Sequence, residues 1–217
     1  MISLYHCVAA RSFRPLWALE ELGLPYQLKM LAFPPRVSDK AYLQVNPLGT
    51  VPAFFDGEVK MTESAAICHY LGATNGPSPL VVNPGEPDFG AYLNWLHFGE
   101  STLTFPQTII LRYSRFETPE RRLPQAAEDY RRWFLGRLRT LAPDGFMCAG
   151  RFTMADISVG YALLLAEYLG LEPDFPEPLR HYLQRLKARD GFQRAVAAEL
   201  AAAGEQGVST VASPLGG

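Results

Sequence analysis

Two short stretches in the first third of the chain combine residues that can grip an amino-acid-like ligand. In T-E-S-A-A-I (62–67), Glu63 and Ser64 open a helix. Unpaired amides and the helix dipole favour an anion there, and the Ser64 hydroxyl adds a donor. Glu63 brings a negative charge to the same spot. The pair suits a zwitterionic α-amino acid, with its carboxylate on the helix amides and Ser64 and its ammonium on Glu63; the plainer alternative is that Ser64 only caps the helix. In N-P-L-G-T-V-P-A-F-F (46–55), Pro52 stands at the start of a strand, where it cannot donate to the ladder. The Val51–Pro52 bond is a candidate for the cis form, which would aim the backbone N–H and C=O of Val51 outward. An exposed backbone edge of this kind pairs with a peptide-like ligand; the alternative is an ordinary edge-strand proline.

These stretches need a small α+β scaffold, and the sequence supplies one. I-S-L-Y-H-C reads as a strand. Phe13 to Leu22 reads as a helix, with Pro15 in its first turn and Gly23 and Pro25 just beyond its end. Y-Q-L-K-M-L is a second strand. A proline-rich bend and a poorly defined segment from Ser38 to Val45 follow. V-P-A-F-F and E-V-K-M then flank Asp56-Gly57, a strong hairpin signal, before a helix over Ser64–Gly72. The order β-α-β-α-β-β-α describes a domain of about eighty residues. Between His6 and Pro25 the chain passes from strand to helix through a loop without glycine, and Arg11 and Ser12 stand at that junction.

The stretch from Asn75 to Pro87 concentrates Gly, Pro and Asn as a linker would, and the remainder carries apolar residues at three- to four-residue spacing, the pattern of a helical bundle. From Ala201 onward an Ala-, Gly- and Ser-rich tail looks too weakly hydrophobic to order by itself. The expected organisation is 1–76 α+β domain, 77–87 linker, 88–204 all-helical domain and 205–217 weakly ordered tail.

Composition narrows the function. The chain has 217 residues, 48% hydrophobic and 19% charged, with a formal net charge of −2. That charge gives no broad footprint for nucleic acid, and the arginines between Arg121 and Arg139 are interleaved with Glu128 and Asp129 as on a solvated helix face. No stretch approaches the roughly 18 apolar residues of a membrane span, and the N-terminal residues lack a secretory pattern. Cys7, Cys68 and Cys148 are odd in number and far apart, which suits a reducing compartment, and the four histidines show no metal-ligand spacing. The expectation is a cytoplasmic protein without metal, membrane or nucleic-acid partner.

L-Y-H, A-R-S-F-R-P-L-W-A-L-E-E-L-G-L-P-Y, N-P-L-G-T-V-P-A-F, T-E-S-A-A-I-C-H-Y-L and G-R-F-T-M-A-D-I-S-V-G-Y occur in the order and spacing of the cytosolic glutathione transferases. Over nearly its whole length the chain resembles that family, in particular bacterial members with a theta- or chi-like thiol-activating loop. The resemblance implies a thioredoxin-like N-terminal domain, an all-α helical-bundle C-terminal domain, a homodimer, and glutathione as co-substrate.

By this resemblance Val51, beside cis-Pro52, pairs with the cysteinyl part of glutathione. Glu63 and Ser64 hold the γ-glutamyl end, and Lys40, Gln44 or Thr50 meets the glycyl carboxylate. The T-x-x-D box Thr153–Asp156 serves folding. Phe105, Tyr113 and Phe116 fall where the family keeps its hydrophobic subsite for a small electrophile, with Trp17 and Phe98 as aromatic neighbours in sequence. The useful chemistry is lowering the thiol pKa from about 8.5 so that thiolate exists at neutral pH. The theta-like serine and the beta-like cysteine fall at a position that is Ala10 here. Replacements are Arg11 by charge and Ser12 by hydrogen-bond donation, as the chi-like A-R-S suggests, or Tyr5 in the strand. Two functions of different class follow: an enzyme attacking a hydrophobic electrophile with glutathione thiolate, or a glutathione-binding interaction protein without efficient activation. A glutathione-dependent reductase or peroxidase would need a redox cysteine, and Cys7 is the one close in sequence.

Overall fold

The computed structural model describes residues 1–143 and 145–215 and divides the chain into two compact units. Among the described residues the first holds Met1–Ser78 and 188–215; the second lies within Pro79–Lys187.

In the first unit, strands β1 (Ile2–His6), β2 (Tyr26–Met30), β3 (Ala53–Asp56) and β4 (Val59–Met61) form one sheet in the order β2-β1-β3-β4. β1 runs parallel to β2, with Leu4 opposite Leu28, and antiparallel to β3, with Leu4 opposite Phe54. Leu4 and Phe54 are fully buried, so the pairing seats two core side chains side by side. The hairpin turns through Gly57 and Glu58, between the paired residues Asp56 and Val59. Gly57 takes the left-handed conformation (φ +56) that a side chain resists. Helix α1 (Phe13–Leu22) ends at Gly23, also left-handed, and α4 (Ser64–Thr74) follows the hairpin. The proline-rich bend and the undefined segment after it each form a single turn, α2 (Pro35–Ser38) and α3 (Tyr42–Val45).

The second unit consists of α5 (Phe89–Phe98), α6 (Phe105–Leu111), α7 (Pro124–Leu138), α8 (Met154–Tyr168) and α9 (Glu177–Lys187). π-helical turns over Gly99–Thr104 and Arg112–Phe116 flank α6. α8 is its axis, buried continuously from Met154 to Ala166. Gly99 lies so close to α8 that a Cβ there would stand 2.4 Å from the Ser158 hydroxyl, which donates to the Leu96 carbonyl at 2.6 Å. The thioredoxin-like N-terminal domain and helical second domain expected from the sequence are both present.

The boundaries differ from those read in the sequence. Helix α10 (Asp190–Glu205), placed by periodicity with the bundle, belongs to the first unit. There Phe192 stacks edge-on against Trp17 (5.1 Å between centroids) and Phe13 (5.4 Å), and the Arg189 guanidinium forks onto Glu21 at 2.7 and 2.8 Å. Burying Phe192 alone contributes about 2 kcal/mol. The segment expected to be weakly ordered is tied down: the Gln206 amide pairs with Met30 N–H and Leu28 C=O of β2, and Ser213 N–H donates to Val8 C=O. Residues 216–217 of that tail lie outside the described residues. Part of the expected linker is also structured, since Arg151 bonds the carbonyls of Pro79 and Val81 and the carboxylate of Glu86.

Candidate functional site

In the first unit, the loop leaving β1 packs against the start of β3. Cys7, Ala10, Tyr42, Val51 and Ala53 share one apolar cluster, with Tyr5 and Phe55 partly buried against it. The Val51–Pro52 bond is cis. The Thr50 carbonyl beside it accepts hydrogen bonds from the Tyr42 hydroxyl (2.7 Å) and the Asn46 amide (2.8 Å), so the turn before β3 is fixed from two directions.

The start of α4 is built differently from an ordinary cap. Glu63 occupies the cap position with extended backbone and is exposed, and among the described residues no side chain caps this helix. Ser64 is buried, and its hydroxyl accepts from Nη1 of Arg14 at 3.2 Å. Arg14 is fully buried in α1. A permanent cation therefore stands behind the amide end of α4 and adds to the pull of the helix dipole on an anion. Sequence reasoning missed this role. The available signal was an arginine on a face otherwise filled by Phe13, Leu16 and Trp17.

The junction carrying Arg11 and Ser12 corrects one expectation. Arg11 is half-buried in the loop, but Ser12 has no exposed surface. Ser12 sits at the cap position of α1 without capping it. Its hydroxyl lies 2.7 Å from Nδ1 of His6, and Nε2 of His6 lies 2.8 Å from Glu199 Oε2 on α10. A carboxylate can only accept, so Nε2 donates to Glu199, and Nδ1 is left to bond the Ser12 hydroxyl. The Ser12 hydroxyl is thus buried and bonded within the fold.

Tyr5 is half-buried, with the Lys29 ammonium over its ring at 4.9 Å and donating to its hydroxyl at 3.3 Å. Cys7 is fully buried, and burial pushes its thiol up to about 12, which removes the thiolate a redox role requires. Lys40 is exposed and donates to the Arg36 carbonyl at 2.9 Å. Thr50 and Gln44 are exposed. Trp17 proves to be core, without exposed surface, its indole N–H on Glu21 at 2.9 Å.

The expected subsite aromatics lie in the second unit. Phe105 and Phe116 are 50% and 41% exposed, enough to meet an apolar molecule. Phe105 packs edge-on against Tyr130 of α7, 6.2 Å between centroids. Tyr113 lines an open concavity of about 300 Å³ together with Ile110, Ala127 and Arg131.

Residues 1–73 match the family described as glutathione S-transferase, N-terminal domain. The glutathione S-transferase match covers β1 to α4, the elements that carry Arg11, Val51, Glu63 and Ser64. Glutathione S-transferase 3 of Schizosaccharomyces pombe is 39% identical over 48% of this chain and 43% of its own length. Elongation factor 1-gamma-A of Xenopus laevis is 30% identical over 77% of this chain and 39% of its own length. The chain thus spans less than half the length of these two relatives. A glutathione transferase of Phanerochaete chrysosporium, solved in complex with oxidized glutathione, superposes with a TM-score of 0.79 at 28% identity over 93% of this chain and 97% of its own. The two-domain architecture is that of the glutathione transferases.

Proposed function

We propose that the protein is a glutathione transferase that binds the tripeptide on its first unit and promotes attack of the thiolate on a small hydrophobic electrophile. The observation that carries this reading is the uncapped start of α4, with exposed Glu63 beside a Ser64 braced by buried Arg14, in the same unit as the Val51 edge. The ammonium of the γ-glutamyl group goes to Glu63 and its carboxylate to Ser64 and the α4 amides. The cysteinyl backbone pairs with Val51 beside Pro52. Thr50 or Lys40 takes the glycyl carboxylate, a role that Lys40 fills by leaving the Arg36 carbonyl.

For thiol activation the weight falls on Arg11 and the loop amides, because the Ser12 hydroxyl is buried and bonded to His6. A guanidinium and N–H donors near the sulfur stabilise thiolate over thiol without accepting the proton, which passes to solvent. Phe105, Tyr113 and Phe116 serve the electrophile. The protein works as a homodimer in the cytoplasm; among the described residues no helix is long and apolar enough to cross a membrane.

A second reading has its own support. Ala10 leaves no hydroxyl or thiol at the usual activating position, and the elongation-factor relative is 30% identical over 77% of this chain. On that reading the protein binds glutathione, or another protein, without ionising the thiol. Ultraviolet titration of thiolate in the complex with reduced glutathione separates the two. Transferase activity requires the bound thiol to ionise about one pH unit or more below the free one. Ionisation at the free value selects the second reading.

A further inference from the structure

Glu199 lies on α10, 193 residues along the chain from His6. Its Oε2 accepts two hydrogen bonds from the end of β1 and the loop after it: from His6 Nε2–H at 2.8 Å and from the Ala9 backbone N–H at 3.0 Å. His6 has no exposed surface and Glu199 is 3% exposed, so this is a desolvated carboxylate with one donor from the last residue of β1 and one from the loop that follows. The same buried stripe of α10 otherwise holds Phe192, Ala195 and Ala203. Packing alone asks for another small apolar residue there, and an acid is retained instead.

The loop it holds is unusual. Ala9 is left-handed at φ 56, a conformation that a residue with a Cβ keeps only when its surroundings impose it. Glu199 grips the N–H of that residue. Through His6 it also fixes Ser12 at the far end of the loop, and Ser12 Oγ in turn lies 3.5 Å from the Cys7 N–H. Arg11 stands between Ala9 and Ser12, and Ala10 shares the apolar cluster of Val51. The Ser–His–Glu chain is no hydrolytic triad, because Ser12 is sealed from any substrate.

We infer that Glu199 is a positioning residue for thiol activation: through Ala9 and His6 it sets where Arg11 and the loop amides stand beside a sulfur bound at the Val51 edge. The inference rests on the glutathione reading above. It assigns Glu199 an effect on the thiol that is separate from tripeptide affinity, which depends on Val51, Glu63 and Ser64.

The test compares wild type, Glu199→Ala, Glu199→Gln and His6→Gln. For each, calorimetry gives the Kd of S-methylglutathione, ultraviolet titration gives the pKa of bound reduced glutathione, and turnover is measured with 1-chloro-2,4-dinitrobenzene. In Glu199→Ala the Kd should stay within about threefold, while the bound thiol titrates about one unit higher and kcat falls about tenfold. Glu199→Gln still offers one oxygen to both donors and should recover most of the loss. His6→Gln keeps a donor toward Glu199 but removes Nδ1, the partner of Ser12; it should shift the thiol upward as well. An unchanged thiol pKa in a folded Glu199→Ala overturns the inference, as does a glutamine variant no better than the alanine one. An unchanged pKa in His6→Gln overturns it even if Glu199→Ala does not fold. A wild type that fails to bind S-methylglutathione contradicts the glutathione reading instead, and is recognised before any variant is made.

Discussion

Two helix starts in this molecule begin from similar residues and end in opposite states. At α8, Thr153 and Asp156 form a complete capping box. The Thr153 hydroxyl accepts from Ala155 N–H at 3.3 Å, and Asp156 Oδ2 accepts from Thr153 N–H at 2.8 Å. Asp156 Oδ1 also takes the Met147 N–H (2.9 Å) and the Tyr182 hydroxyl (2.8 Å). Burial still holds the Asp156 carboxyl above the ordinary carboxylate range, although each of these donors pulls it down. At α4, Glu63 and Ser64 stand at the helix start with no side-chain cap, Glu63 in solvent and Ser64 turned to a buried arginine. A hydroxyl and a carboxylate at a helix start are thus ambiguous in sequence. The difference lies in where the acid sits: three residues into a buried turn it closes the end on itself, and at the exposed cap position it leaves the amides to a ligand.

This contrast yields mutations that should separate stability from binding. The largest effect is expected for Asp156→Ala. It leaves the donors of Met147, Thr153 and Tyr182 without their acceptor, and should cost about 3 kcal/mol or more in denaturant unfolding. Ser64→Ala should do the reverse, weakening glutathione about tenfold to thirtyfold by calorimetry, with a stability change of no more than about 1 kcal/mol. Equal stability losses at the two helix ends would erase the distinction. Arg11→Ala should reduce kcat about tenfold at nearly constant stability. Ser12→Ala breaks the His6–Ser12 bond, and should cost about 1 kcal/mol of stability and raise the pKa of the bound thiol as His6→Gln does. Thr153→Ala removes one cap bond while keeping Asp156, and should lower stability by about 1 kcal/mol without touching glutathione affinity.

Local rules made much of the first unit legible. The Asp56-Gly57 signal marks the hairpin, Pro15 and Gly23 bracket α1, and T-M-A-D marks the start of α8. What sequence could not show is non-local. Periodicity identifies α10 as a helix but not the surface it lies on, and its partners Phe13, Trp17 and Glu21 are far away in the chain. Ser12 has every local mark of a cap, yet its hydroxyl is bonded to His6, which Glu199 holds from α10. Arg14 behind Ser64 follows only from the packing of α1 beside α4. Each miss is a side chain whose partner comes from another element.

The central claim is that the tripeptide lies along the Val51 edge with its α-amino acid end on the start of α4. Amide chemical-shift mapping of the labelled protein titrated with reduced glutathione tests this most directly. The account predicts the largest shifts at Val51, Ser64 and Ala65, with smaller ones along the loop from Cys7 to Ser12. Shifts confined to other elements, or none at millimolar glutathione, would contradict it.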